Sequence, residues 1–338
     1  EYFDPQVNEN GNEFQENGYI TDILTDKAID WLKNKRDSDK PFSMNLWHKA
    51  VHQPHLPAPR HKSIYIDKEL PTPPYDTHKE TFKGKPYWQR KKTFGFDWKK
   101  NLPIPLELPE VEWPINYDRN MDLLRCLSSI DESLGKVLAT LEDMGELDNT
   151  VIIYSSDNGY FMGEHTYLDK RLAYENSMRV PMLIRYPTLI KKNTTVKQKC
   201  LNIDLAPTIL NLAGLEIPHY MQGESMVDLL YGNEVGNWRD AILFEYFKDT
   251  YWPYAGPNQI AVRTDRYKLV DCFLKNDIDE LYDLKVDPGE MINLINDPAY
   301  DIIEKDMRLQ ATILKKKYKY NPNRDWWLKK VMKSNRSN

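Results

Sequence analysis

Cysteine is scarce in this chain: Cys126, Cys200 and Cys272 are the only three among 338 residues. They are widely spaced and odd in number, so they make neither a zinc-ligand pattern nor a disulfide framework. Cys126 falls in an apolar helical stretch and reads as a buried, inert thiol. No run of eighteen apolar residues occurs, which excludes a membrane-spanning helix. There is no internal repeat and no low-complexity segment. The chain opens at Glu1 with no methionine, no basic n-region and no apolar h-region, so no targeting signal gives the compartment. That start reads as a cut through a longer protein. A strong excess of charge is lacking too. The balance of 46 Lys and Arg against 51 Asp and Glu leaves a net charge of -5, which argues neither for nor against a polyanionic partner. No nucleic-acid partner is expected.

What is present is a soluble globular composition, 41% hydrophobic and 29% charged, in a chain long enough for a large core and a second, smaller domain. Seven His, 21 Tyr and nine Trp supply polar aromatic groups of the kind that carbohydrate-facing surfaces use. Residues 21–36 read as an amphipathic helix with Ile23, Leu24, Ala28, Ile29 and Leu32 on one face. A strand over 41–47 and a proline- and histidine-rich loop over 48–61 are expected next. Residues 62–116 are polar, aromatic and broken by proline, and read as long loops with short irregular elements. A helix is expected over 119–144, with Met121, Leu124, Leu127, Ile130, Leu134, Val137, Leu138 and Leu141 as its buried stripe and Gly145 as its end.

The continuous apolar runs at 150–155 and 181–186 are too short for helices and are typical of parallel strands buried on both faces. Asp204 reads as the cap of a helix that ends at Gly214. Alternating helices and strands up to here predict an α/β fold: a mostly parallel sheet flanked by helices, over residues 1–236. From 237 to 338 the pattern changes to closely spaced strands at 241–247, 259–264, 267–272 and 280–284, then a helix over 298–318. That predicts a small antiparallel C-terminal domain. From Ile303 onward the chain holds eleven Lys or Arg against three acids, with Trp326 and Trp327. A solvated helix face and a docked tail account for this, with contact to an anionic glycan as the alternative.

In open α/β sheets, ligands gather at the carboxyl ends of strands, and two candidate sites fall there. Ser156-Asp157-Asn158-Gly159 follows the 150–155 strand. A carboxylate beside a side-chain amide offers hard oxygen ligands to calcium or magnesium, although Asp-Asn-Gly is also an ordinary turn. His48-Lys49-Ala50-Val51-His52-Gln53-Pro54-His55 follows the 41–47 segment; it can bind an anion, act as acid or base, or hold zinc, and it can equally be a polar surface loop. Asp169-Lys170-Arg171 adds two cations, or is simply a solvated helix start. Metal ligands, cations and a histidine at one sheet edge are the equipment for cleaving an anionic ester.

Ser156-Asp-Asn-Gly-Tyr-Phe-Met-Gly-Glu-His165, Leu168-Asp-Lys-Arg171 and Val180-Pro-Met-Leu-Ile-Arg-Tyr-Pro187 resemble the core of type I sulfatases, in the alkaline-phosphatase-like superfamily. The likeness continues through Asn202-Ile-Asp-Leu-Ala-Pro-Thr-Ile-Leu-Asn-Leu-Ala-Gly214, Gln222-Gly223, Ala261-Val-Arg-Thr-Asp-Arg-Tyr-Lys-Leu269 and Glu280-Leu-Tyr-Asp-Leu-Lys-Val-Asp-Pro-Gly-Glu290. Upstream, Gly18-Tyr-Ile-Thr-Asp-Ile-Leu-Thr-Asp-Lys27 and Lys49-Ala-Val-His-Gln-Pro54 fit too. The blocks keep the family's order over nearly the whole chain.

The resemblance implies a calcium-dependent hydrolase of a sulfated carbohydrate. Asp157 and Asn158 match two calcium ligands. Lys170 matches the lysine that contacts the sulfate, and His52 the histidine that protonates the leaving oxygen. His165, Arg171 and Lys49 are expected to contact substrate. The Lys-Ala-x-His-x-Pro and Asp-Lys-Arg blocks are most like those of sulfatases acting on N-acetylglucosamine-6-sulfate in glycans, and such enzymes are periplasmic or secreted. The family's nucleophile is a formylglycine made from Cys or Ser in Cys/Ser-x-Pro-x-Arg, yet none of the 22 prolines has Cys or Ser two residues before it. The nucleophile and an aspartate pair on the first strand are therefore expected in a missing N-terminal segment that this chain needs, and residues 1–338 alone are expected to be inactive. A phosphodiesterase or phosphonate hydrolase of the same superfamily and a non-catalytic glycan-binding relative are the alternatives.

Overall fold

The computed structural model describes residues 1–68, 84–86, 89, 95–97, 102–104, 117–162, 164–166, 168–247, 258–272 and 277–321. Most of 62–116 and the Trp326–Trp327 tail lie outside those residues. Two compact units are present, one of Glu1–Thr72 with Glu112–Ile152 and one of Pro73–Val111 with Ile153–Asn338.

The first unit begins with a hairpin, β1 (Gln6–Glu9) against β2 (Asn12–Gln15), registered Glu9↔Asn12. Its turn is Asn10-Gly11, with φ of 55° and 91°. Two consecutive left-handed residues are what a two-residue hairpin turn requires, and that dipeptide is the signal that a search for apolar periodicity passes over. Helix α1 (Ile20–Asp30) runs on into a π-helical turn at Trp31–Lys35, so the expected 21–36 helix is present. Helix α2 (Tyr117–Asp143) starts two residues before its expected position.

The buried face of α2 keeps Met121 and Leu141 of the expected stripe, with Ile130 half-buried against the same core, and adds small polar residues. Met121, Cys126, Ser129, Ser133, Thr140 and Leu141 are buried, whereas Leu127 is exposed. Small hydroxyl residues let α1 and α2 approach closely while satisfying each other: Thr25 Oγ1 and Ser133 Oγ are 2.6 Å apart, and Thr25 also donates to Thr21 O. Cys126 is fully buried with Tyr2, Tyr19, Ile20, Ala50 and Ala58, and burial raises its thiol to about 11. Its burial is as expected.

The expected strand at 41–47 is not formed. Its residues read locally as a strand, but a strand is completed by a laddered neighbour, and among the described residues none pairs with it.

In the second unit β3 (Ile152–Ser155) pairs with β6 (Met182–Arg185). Their side chains are half-buried and Leu183 is exposed, so the expectation of burial on both faces fails for the described residues. Between them lie a short hairpin, β4 (Phe161–Met162) with β5 (Leu168–Asp169), and the one-turn helix α3 (Glu175–Met178). Helices α4 (Leu205–Leu212) and α5 (Val227–Tyr231) follow. A separate short hairpin joins Gly95–Asp97 to Leu102–Ile104. Asp204 precedes α4 but its carboxylate does not cap it. Fully buried, it accepts from the amides of Leu201 and Glu224 and is paired with the Arg239 guanidinium.

Strands β7 (Ile242–Tyr246), β8 (Gln259–Arg263), β9 (Tyr267–Asp271) and β10 (Glu280–Asp283) form an antiparallel sheet in the order β10-β9-β8-β7. Consecutive residues on a strand point to opposite faces, and the core divides accordingly. Val262, Leu269 and Leu281 pack on Met307, Ala311 and Leu314 of helix α6 (Asp301–Lys317). Their neighbours Ala261, Val270 and Tyr282 pack on Phe161, Leu172, Ala173 and Tyr174. Each fully buried side chain of this size contributes about 1.5–3 kcal/mol, so one face anchors the terminal helix and the other anchors the segment that carries α3.

Candidate active site

Asp157 and Asn158 follow β3 directly, and their turn is pinned from several sides. Asp157 Oδ1 accepts from the Asn158 amide at 2.9 Å, and Asn158 Nδ2 donates to Gly159 O at 2.7 Å. Asn202 Nδ2 reaches the carbonyls of Ser156 and Asp157 at 3.2 Å each. The Gly159 amide donates to Ser177 O on α3 at 2.9 Å. Closeness to a neighbouring backbone dictates the residue at Gly159. A Cβ there would lie 2.0 Å from Asn176 O and 2.8 Å from Arg179 O, so only glycine lets the Asp157–Asn158 turn rest on the backbone of α3.

Lys170 stands at the end of β5, not at a solvated helix start. Asp169 and Arg171 on either side have φ of 78° and 96°. The Asp169 carboxylate pairs with the Arg171 guanidinium and lies 3.5 Å from Lys170 Nζ. The Arg171 amide donates to Ser177 Oγ at 2.9 Å. Ser177 thus receives both candidate loops: its carbonyl takes the Asp157–Asn158 turn and its hydroxyl takes the Lys170 loop.

His165 lies between β4 and β5 and is 1% exposed. Its ring stacks on Tyr174, centroids 4.2 Å apart, and meets Phe161 edge-on. Burial, with the charges of Lys85 and Lys268 nearby, holds it well below the usual histidine range, so it is neutral at neutral pH.

Lys49 and His52 belong to the first unit, where they are brought together. Lys49 Nζ lies 3.1 Å from His52 Nδ1 and 3.1 Å from Gln53 O, and His52 Nδ1 lies 2.9 Å from the same carbonyl. Tyr2 OH donates to His52 O at 2.6 Å. The neighbouring histidines are structural. His48 Nε2 is 3.1 Å from Ser133 Oγ, and burial lowers its basicity; His55 is buried with Nδ1 2.9 Å from Val51 O.

Asp157 and Asn158 present hard oxygen donors, the chemistry of a calcium or magnesium ligand set. Two such donors are fewer than the six to eight oxygens that calcium takes. Among the described residues no group of three or more His, Cys, Asp or Glu is arranged to hold a metal. Sequence reasoning missed Asn202 and Ser177. Both act through hydrogen bonds between distant segments, which no local pattern announces.

The sulfatase family profile matches residues 1–215, and the profile described as N-sulphoglucosamine sulphohydrolase, C-terminal, matches residues 163–317. An N-acetylglucosamine-6-O-sulfatase of Bacteroides thetaiotaomicron is 34% identical over 373 residues, covering 95% of this chain and 66% of that protein. The human N-acetylglucosamine-6-sulfatase is 33% identical over 236 residues, covering 68% of this chain and 39% of its own length. The chain therefore spans between about two fifths and two thirds of the length of these relatives. A solved structure in complex with its substrate, D-glucosamine-2-N,6-O-disulfate, superposes with a TM-score of 0.81 at 31% identity, covering 95% of this chain and 74% of that one. The phosphonate monoester hydrolase of Agrobacterium radiobacter gives 0.75 at 23% identity, covering 88% and 60%, a likeness of fold. The fold class is the alkaline-phosphatase-like α/β class, with antiparallel structure in its C-terminal region.

Proposed function

The chain belongs to the sulfatase family, and from that premise we propose that it is part of a sulfuric ester hydrolase that removes sulfate from a sulfated carbohydrate. One observation carries this reading: Ser177 holds the Asp157–Asn158 turn and the Lys170 loop to one backbone turn of α3. Hard oxygen donors and a cation are thereby fixed relative to each other, as recognition of a bound sulfate group requires. The relatives named for N-acetylglucosamine-6-sulfate and the structure holding a glucosamine disulfate support a 6-sulfated amino sugar as the substrate class.

Membership of the family implies a metal cofactor. We assign it as calcium, held in part by Asp157 and Asn158; when bound it supplies positive charge beside the sulfate oxygens. Lys170 donates to a sulfate oxygen, oriented by Asp169 and joined by Arg171. His52, with Nδ1 turned to Gln53 O and Lys49, offers Nε2 to protonate the departing alkoxide. Lys49 adds a second cation to that loop, and His165, neutral and stacked on Tyr174, backs the Lys170 hairpin. Over a cycle the ester S–O bond breaks, water is consumed, and an alcohol and sulfate leave. The nucleophile is a formylglycine outside residues 1–338, because no Cys or Ser here precedes a proline in the required spacing. A periplasmic or secreted location suits a glycan substrate, and among the described residues no helix is long and apolar enough to cross a membrane.

The test is a matched set of aryl sulfate, aryl phosphate and aryl phosphonate esters offered to the full-length protein with calcium. Preference for the sulfate ester is expected. Preference for the phosphonate would assign the site to the phosphonate hydrolases, and turnover of none by folded protein would leave a glycan-binding relative.

A further inference from the structure

Helix α3 is a single turn of four residues. A helix so short does not hold its own shape, yet both candidate loops depend on it. What fixes it comes from the four-stranded sheet. Lys268 on β9 and Glu290, after β10, are both fully buried. Lys268 Nζ lies 2.6 Å from Glu290 Oε1 and 2.9 Å from Glu175 Oε1, and it donates to Ala173 O at 3.2 Å. The other oxygen of Glu290 accepts the amide of Glu175, the first residue of α3, at 2.7 Å. Arg263 on β8 reaches both oxygens of the Glu175 carboxylate at 3.3 Å. Just ahead of the helix, the Ala173 amide donates to Gln259 Oε1 at 2.8 Å, and Tyr174 OH donates to Glu280 Oε2 at 2.7 Å. All of these anchors sit on the sheet except Glu290, which follows β10 in the chain.

A buried ionic group of this kind adds little stability over an apolar replacement, because desolvation offsets the attraction. It does fix geometry. Hydrogen bonds to a backbone amide, a backbone carbonyl and a carboxylate define the position of α3 along and across the sheet, where an apolar patch would allow sliding. We propose that Glu290 and Lys268 are positioning residues for the hydrolytic site, acting through α3 and Ser177 on the Asp157–Asn158 turn and the Lys170 loop together. The inference rests on the sulfatase reading of those loops. Its geometric part stands apart from that reading: the sheet sets where Ser177 lies, and Ser177 sets where the two loops lie. The two arms are separable, because the carbonyl of Ser177 serves the metal-ligand turn and its hydroxyl serves the lysine loop.

The experiment uses the full-length protein and two near-isosteric variants, Glu290→Gln and Ser177→Ala, with melting followed by calorimetry. Hydrogen exchange is followed in the peptides that contain the Gly159 and Arg171 amides. Calcium affinity is measured by titration, and kcat and KM for N-acetylglucosamine-6-sulfate are measured well below the melting temperature. Glu290→Gln is expected to speed exchange at both amides, weaken calcium binding and lower kcat, each by about tenfold, the scale of outer-shell substitutions in metal sites. Ser177→Ala is expected to speed exchange at Arg171 and lower kcat while leaving Gly159 exchange and calcium affinity as in the wild type. A lower melting temperature with unchanged exchange at both amides in Glu290→Gln would overturn the inference, as would parallel loss of calcium affinity in Ser177→Ala. If wild-type protein releases no sulfate, the sulfatase reading falls, and the exchange pattern still decides whether the sheet positions the loops. Should Glu290→Gln fail to fold, the split between the two amides in Ser177→Ala decides.

Discussion

Lys170 is the side chain whose role is simplest to isolate. It is half-buried, and its carboxylate neighbour Asp169 orients it at 3.5 Å, so removing it leaves no cavity in a core. A preorganised charge aimed at developing negative charge contributes far more to rate than to folding, and losing one such donor costs on the order of 100–1,000-fold in kcat. Lys170→Ala in the full-length protein is expected to lose turnover on that scale with a melting temperature close to wild type, read by steady-state kinetics beside calorimetry. Wild-type turnover would remove Lys170 from the mechanism. Its motif was legible in the sequence, because Leu168-Asp-Lys-Arg171 is one of the blocks that resemble the sulfatase family. Its placement at a strand end between two left-handed residues was not, since nothing in those side chains announces a positive φ. His165 illustrates the same limit: the motif was readable, while its burial against Tyr174 depends on a hairpin closed by residues on both sides of it.

At the scale of elements, the antiparallel sheet was the most legible part of the chain. Its strands alternate between two apolar faces, and that periodicity located each to within a residue or two. The segment at 41–47 carries comparable apolar residues and forms no strand, because a ladder needs a partner that local sequence does not supply. The serine-rich seam of α2 was misread for a related reason: close helix approach selects small residues that a search for leucines overlooks. The cluster that anchors α3 carries a pH signature. Burial alone would raise the Glu175 carboxyl, but the Lys268 and Arg263 charges outweigh it and hold the group at about 2. Its unfolded value is near the ordinary 4.5, so at the pH values between the two the unfolded chain binds more protons than the folded one. The contribution is fully present above about 4.5 and is lost as pH falls toward about 2, on the order of 3 kcal/mol. Glu175→Gln is expected to flatten the acid limb of stability against pH, measured by denaturant unfolding from pH 5 to pH 2. An unchanged acid limb would show that Glu175 is not held by its cations in solution.

At the scale of the whole molecule, the order of motif blocks along the chain identified the family, and the match of the sulfatase profile to residues 1–215 bears that out. The α/β fold class followed from the alternation of helices and strands, and the antiparallel C-terminal region from the closely spaced strands beyond it. Of the residues proposed for the site, Lys49 and His52 lie in the first unit and Asp157, Asn158, Lys170 and Arg171 in the second. The central claim is that the Asp157–Asn158 turn serves a metal-dependent release of sulfate. It is tested most directly by measuring inorganic sulfate released from N-acetylglucosamine-6-sulfate by the full-length protein, with calcium, after chelation, and in Asp157→Ala, with residues 1–338 alone in parallel. Release by the wild type with calcium is expected, with loss on chelation, partial recovery of Asp157→Ala only at raised calcium, and none from residues 1–338. Release indifferent to both chelation and Asp157→Ala, or no release by folded full-length protein, would contradict it.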